Sequence, residues 1–111
     1  MLSKDSLMGK TILVTGGGSG LGKSMSIEFL KLGANVVIAS RNFEKLEGAA
    51  EEMREETGGN VLPIKCNVKE YSDVENVLAK TLEKYNSLDA LVNNAAGNFI
   101  SPTERLSTKA F

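Results

Sequence analysis

The chain has 111 residues, a formal net charge of -1 and 41% hydrophobic content, which suits one soluble globular unit and excludes the strong charge imbalance of a nucleic-acid binder or a polybasic membrane anchor. It contains one cysteine, Cys66, and no histidine, so an intrachain disulfide is impossible and no metal site is expected. No apolar run has the length of a membrane span. Met1 to Asp5 has neither a hydrophobic signal core nor an Arg-rich transit character, and the expected setting is intracellular and reducing.

Lys10 to Thr15 is a short apolar run ending in glycines, the pattern of a buried parallel strand. The glycine-rich stretch Thr15 to Gly22 follows. Leu21, Met25, Phe29 and Leu32 then recur at helical spacing and predict the buried face of a first helix, with Gly33 at its C-terminus. Asn35 to Ala39 reads as a second strand. Asn42 is placed to cap a second helix whose apolar face is Leu46, Ala49, Ala50 and Met53, and Gly58-Gly59 ends it.

Val61 to Lys65 is a third strand. Pro63 within it demands an edge position, because proline cannot donate to the ladder. Ser72-Asp73-Val74-Glu75 reads as a capping box opening a third helix, with Val74, Val77, Leu78, Thr81, Leu82 and Tyr85 as its face. Asp89 to Asn93 is a fourth strand, and a loop then runs to Ser107, a candidate cap for one more helix.

Strands alternating with helices predict an α/β, doubly wound Rossmann-type parallel sheet with right-handed crossovers. The order 3-2-1-4 puts the Pro63 strand at an edge and makes the first and fourth strands flank the topological switch point, where ligands bind in such sheets. A complete dinucleotide fold has two halves. Residues 1–111 therefore read as the N-terminal dinucleotide-binding portion of one domain, apparently truncated, leaving Ala90-Leu91-Val92 as an unpaired apolar edge.

The glycine turn does not have G-x-G-x-x-G spacing. It reads Thr-Gly-x-x-x-Gly-x-Gly through Thr15, Gly16, Gly20 and Gly22, between a strand and a helix, where backbone N–H groups can cradle a pyrophosphate. About 20 residues further on, an acid would bind the ribose hydroxyls of NAD. The second strand ends instead in Ser40-Arg41-Asn42, and an arginine fork with a serine hydroxyl suits a 2′-phosphate. NADP(H) is the expected cofactor. Cys66 reads as a small core residue, and Pro102 as a loop stiffener.

With the glycine turn, Arg41 and Asn93-Asn94-Ala95, the chain resembles the short-chain dehydrogenase/reductase family, with Ala96 where the family's Asn-Asn-Ala-Gly has glycine. The resemblance implies that Gly16, Gly17, Gly18, Ser19, Gly20, Leu21 and Gly22 hold the cofactor together with Ser40, Arg41, Asn94 and Ala95. It also implies that Asn67 lies beside the adenine, where aspartate is usual. The stretch Asn93 to Ser107 is similar to the NADPH-dependent 2,4-dienoyl-CoA reductase branch, which acts in unsaturated fatty-acid β-oxidation. That likeness implies hydride transfer to the far end of a conjugated dienoyl thioester. Asn98 would be one hydrogen-bond donor at the thioester oxygen, and a tyrosine beyond Phe111 the other. Phe99 and Ser107 would line the acyl-CoA side, with Lys69 near the CoA.

Rival readings are a trans-2-enoyl-CoA or 3-oxoacyl reductase of the same family, and a non-catalytic NADP(H)-binding fragment. The resemblance further implies a homotetramer of the full-length protein. It also implies a bacterial cytoplasmic, mitochondrial or peroxisomal location, and little or no activity from the 111 residues alone.

Overall fold

The structure is a computed structural model that describes residues 6–16, 20–67 and 69–94. Its elements run β1 (Thr11–Thr15), α1 (Gly20–Lys31), β2 (Asn35–Ser40), α2 (Phe43–Thr57), β3 (Val61–Lys65), α3 (Tyr71–Tyr85) and β4 (Ala90–Asn93). The strands form one parallel sheet in the order β3-β2-β1-β4, as the strand–helix alternation and Pro63 require. β1 and β4 start one residue later than the sequence pattern indicates, and β2 runs one residue further, through Ser40.

Successive strand residues point to opposite faces, and the chain fills both. Ile12, Val14, Val36 and Ile38 pack on one face with Leu30 of α1 and Leu46, Ala49, Ala50 and Met53 of α2. Leu13, Val37, Ala39, Ile64 and Cys66 pack on the other with Val74 and Val77 of α3. All five residues of β1 are buried, which is why its sequence is continuously apolar rather than alternating.

α1 buries a different stripe from the one its hydrophobic spacing suggests. The buried residues are Gly22, Ser26 and Leu30, whereas Leu21 is 67% exposed and Leu32 lies past the helix end. Small side chains let the first turn approach β1 more closely than a leucine could. Ser26 satisfies its buried hydroxyl by donating to the Gly22 carbonyl at 2.8 Å. α1 is also joined to α2 by the Lys23–Glu52 ion pair at 2.7 Å.

α2 follows its sequence signals. Asn42 Oδ1 accepts the Lys45 N–H at 3.1 Å, and the Gly58 N–H closes the helix on the Arg54 carbonyl at 2.7 Å. α3 does not follow its own. Its N-cap is Glu70, without a side-chain cap bond, so Ser72 and Glu75 form no capping box. Ser72 already lies inside the helix, and the first-turn carboxylate of Asp73 reaches back to accept the Asn67 N–H at 3.0 Å. Leu82, expected on the buried face, is 44% exposed.

The two sheet edges differ. Val36 donates to the Asn60 carbonyl, and Cys66 donates to the Ser40 carbonyl. In a parallel ladder this leaves the main-chain groups of residues 61, 63 and 65 facing outward. Pro63 has no N–H to offer there, and Arg54 Nη2 donates to the outward Val61 carbonyl at 2.7 Å. On the opposite side β4 pairs only with β1 among the described residues, and Ala90, Leu91 and Val92 are half-buried.

The amino ends of the strands are held by polar side chains. Asp89 accepts the Thr11 N–H at 2.8 Å, and Asn60 Nδ2 donates to Asn35 Oδ1 at 2.9 Å. Among the described residues no helix is long and apolar enough to cross a membrane. Leu13 is fully buried on the α3 face, so Leu13→Ala is expected to cost about 3 kcal/mol, read as a lower urea midpoint with an unchanged slope.

Candidate functional site

The carboxyl ends of β1 and β4 lie side by side, with Thr15 in register with Asn93. The fully buried Thr15 hydroxyl joins them. It accepts the Asn94 N–H at 2.9 Å and sits 3.1 Å from Asn93 Oδ1 and 3.4 Å from the Val92 carbonyl, the acceptors open to its proton. Gly16 continues β1 toward β2 by donating to the Ala39 carbonyl at 2.8 Å, then turns the chain away at φ +69°. Only glycine adopts that conformation without penalty.

Gly22, in the first turn of α1, completes the cradle. A Cβ added there would collide with the Gly16 carbonyl oxygen and lie 2.8 Å from Asn94 Nδ2. The glycine turn, the start of α1 and the segment after β4 are thus pressed together around a position where no side chain fits. The opening helix turn carries no acidic residue, so its free N–H groups and dipole can face an anion unopposed. The structure brings Gly16, Gly20, Gly22 and Asn94 to this end of the sheet, while Leu21 points largely to solvent. Gly17, Gly18, Ser19, Ala95, Asn98, Phe99 and Ser107 lie outside the described residues.

Ser40 and Arg41 follow from β2, one strand over. Ser40 Oγ accepts the Asn42 N–H at 3.3 Å, and Arg41 is exposed. Beside them opens a hollow of about 830 Å³ along the β3 edge, floored by Leu62 and Pro63, with Arg41, Lys65 and Lys80 on its walls and Glu44 at its rim. Lys65 is the residue in register with Ser40. Sequence reasoning passed over Lys65 as the end of a strand, although aligning the second and third strands in parallel would have placed it there.

After β3 the backbone is fixed by Asn67. Its Oδ1 accepts the Lys69 N–H at 3.0 Å, its carbonyl accepts the Glu70 N–H at 2.9 Å, and its own N–H goes to Asp73. Part of the amide oxygen's accepting capacity is therefore used locally. Lys69 is exposed. Cys66 is 1% exposed, and burial, reinforced by the nearby Asp73 carboxylate, pushes its thiol up from 9.0 to about 11. A thiol so protonated is not a nucleophile at neutral pH, and the residue serves the core.

The sequence profile of the family described as short chain dehydrogenase matches residues 10–111. The chain is 48% identical to the "Probable 2,4-dienoyl-CoA reductase 3 [(3E)-enoyl-CoA-producing]" of Caenorhabditis elegans, over 99% of this chain and 36% of that protein. It is 39% identical to the peroxisomal 2,4-dienoyl-CoA reductase of Danio rerio, over 98% of this chain and 36% of the relative. The L-sorbose reductase of Gluconobacter frateurii, solved with NADPH and L-sorbose, superposes with a TM-score of 0.80 at 30% identity, covering 86% of this chain and 36% of that one. The chain thus spans little more than a third of the length of these relatives.

Gly22→Ala is expected to destabilise the protein by about 2 kcal/mol or more and to shift the Gly16 and Asn94 amide resonances, because the Gly16 carbonyl is main chain and cannot swing aside. The second expectation concerns pH. The folded Cys66 thiol keeps its proton above the pH at which the unfolded chain loses it, so stability holds below pH 9.0 and falls as the pH rises through about 11. Tyr85, also raised by burial, acts in the same direction. Urea midpoints of wild type and Cys66→Ala across this range should show a shallower decline in the variant.

Proposed function

The chain belongs to the short-chain dehydrogenase family, and on that premise we propose that it is the N-terminal, dinucleotide-binding portion of an NADPH-dependent reductase acting on 2,4-dienoyl-CoA thioesters. The observation that carries the substrate reading is the identity across almost the whole chain to a relative named as a 2,4-dienoyl-CoA reductase. The cradle at Gly22, where a Cβ would strike Gly16 and Asn94, supports the dinucleotide. Such tight contact is what the last glycine of a dinucleotide-binding turn allows, close packing of the helix on the strand, which brings the helix N-terminus to the pyrophosphate.

The proposed roles follow from these positions. Gly16 to Gly22 hold the pyrophosphate against the start of α1. Ser40 and Arg41, with no acid at the end of β2, receive the 2′-phosphate that distinguishes NADP(H) from NAD(H). Asn94 and Ala95 line the nicotinamide side, and Asn67 the adenine. When bound, the reduced cofactor supplies a hydride to the far end of the conjugated chain. Asn98 then donates a hydrogen bond to the thioester oxygen as the displaced electrons gather there in a dienolate, where a preorganised donor contributes most. Protonation of the dienolate completes the reduction. Phe99, Ser107 and Lys69 contact the acyl-CoA.

In this reading residues 1–111 are one continuous portion of a single domain, and further strands extend the sheet beyond β4. The second donor, a tyrosine, and the contacts of a homotetramer lie in segments beyond Phe111. The test uses a protein of the relatives' length carrying this chain. NADPH consumption is expected with 2,4-dienoyl-CoA in preference to trans-2-enoyl-CoA or 3-oxoacyl-CoA, and Asn98→Ala should lower kcat by about 100-fold with little change in the KM for NADPH. Turnover of only the latter two substrates overturns the assignment.

A further inference from the structure

Lys65 occupies a position that the glycine turn and Arg41 leave unexplained. It is the last residue of β3, exposed, and in register with Ser40 at the end of β2. Residues in register on neighbouring parallel strands project to the same face. Ser40 and Lys65 therefore share the face on which Val36, Ile38 and Val61 pack with α2. Adjacent strands are about 4.8 Å apart, so the lysine ammonium can swing over Ser40 or over a group held there.

The charge around this position is one-sided. Arg41, Lys65 and Lys80 line the same hollow, with Glu44 as its one acid. None of the three cations forms an ion pair with a carboxylate among the described residues. Unpaired cations on a concave wall concentrate positive potential. Leu62 and Pro63 offer no polar side chain there, and the cations outnumber the one acid of the lining.

We propose that Lys65, in register with Ser40 on the neighbouring strand, is a second cation for the 2′-phosphate and so a cofactor-selecting residue. The inference rests on the NADP(H) reading above and adds to it a residue from a different strand. A 2′-phosphate carries more than one negative charge at neutral pH. Arg41 offers it a planar fork, and Lys65 offers a mobile point charge from the opposite side. Lys80 plays no part in this contact. It lies about 13 Å along α3 from Tyr71, toward the amino ends of the strands, and so serves as an internal control for a diffuse positive field.

Adenosine 2′,5′-bisphosphate and adenosine 5′-monophosphate differ only in the 2′-phosphate. Both are titrated, with amide chemical shifts as the readout, into the wild-type protein and into Lys65→Gln, Lys65→Arg and Lys80→Gln. The bisphosphate is expected to bind wild type more tightly than the monophosphate. Lys65→Gln should weaken the bisphosphate about fivefold and leave the monophosphate unchanged, Lys65→Arg should restore binding, and Lys80→Gln should alter neither. Equal affinity of wild type for the two probes, or binding of neither, overturns the NADP(H) reading itself. Intact discrimination in Lys65→Gln overturns the inference alone, as does an equal loss for both probes or a matching loss in Lys80→Gln.

Discussion

The Thr15 hydroxyl joins the two strands between which the site opens. β1 and β4 are neighbours in space though far apart in sequence, and the Thr15 side chain adds to the ladder that pairs them. A single buried oxygen accepts the Asn94 N–H and faces the Asn93 side chain, while Asp89 secures the opposite ends through the Thr11 N–H. Because the Thr15 hydroxyl is itself fully buried, leaving it unpaired would cost more than the bond's net contribution. Gly22 then uses that geometry: the first turn of α1 packs against Gly16 and Asn94 only because both are held still.

Electrostatics at the site are organised by what is missing. α1 begins without an acidic residue, and β2 ends in Ser40-Arg41 rather than in a carboxylate. Several acids elsewhere are engaged: Glu52 with Lys23, Glu28 and Glu56 with Lys31, and Asp73 with the Asn67 N–H. Arg41 and Lys65 have no carboxylate partner among the described residues, so a chain that is nearly neutral in sum carries unpaired cations at the carboxyl ends of β2 and β3. Global composition could not reveal this local asymmetry, which arises from strand register.

Much of the fold was legible in the sequence because local and tertiary demands agree. Pro63 named its own edge, Asn42 its cap, and the continuous apolar runs their burial on both faces. The failures differ in cause. At α1 the hydrophobic period pointed to Leu21, yet the helix buries Gly22 and Ser26, because close approach to β1 favours small side chains over apolar ones. At α3 the Ser72–Glu75 spacing suited a capping box, yet the helix starts at Tyr71 and Asp73 bonds outward to the β3 loop. Lys65 carried no signal until β2 and β3 were aligned. At α1 and at Lys65 a contact distant in sequence outweighed a rule about sequence neighbours, and at α3 one local hydrogen bond displaced another.

The unequal margins of the sheet have a bearing on self-association. At β3, Pro63 lacks the N–H a further strand would need, and Arg54 already occupies the Val61 carbonyl, so that margin cannot template another chain. At β4 the ladder is open to the further strands of the proposed domain, so the sheet grows on one side only and the proline fixes its closed margin.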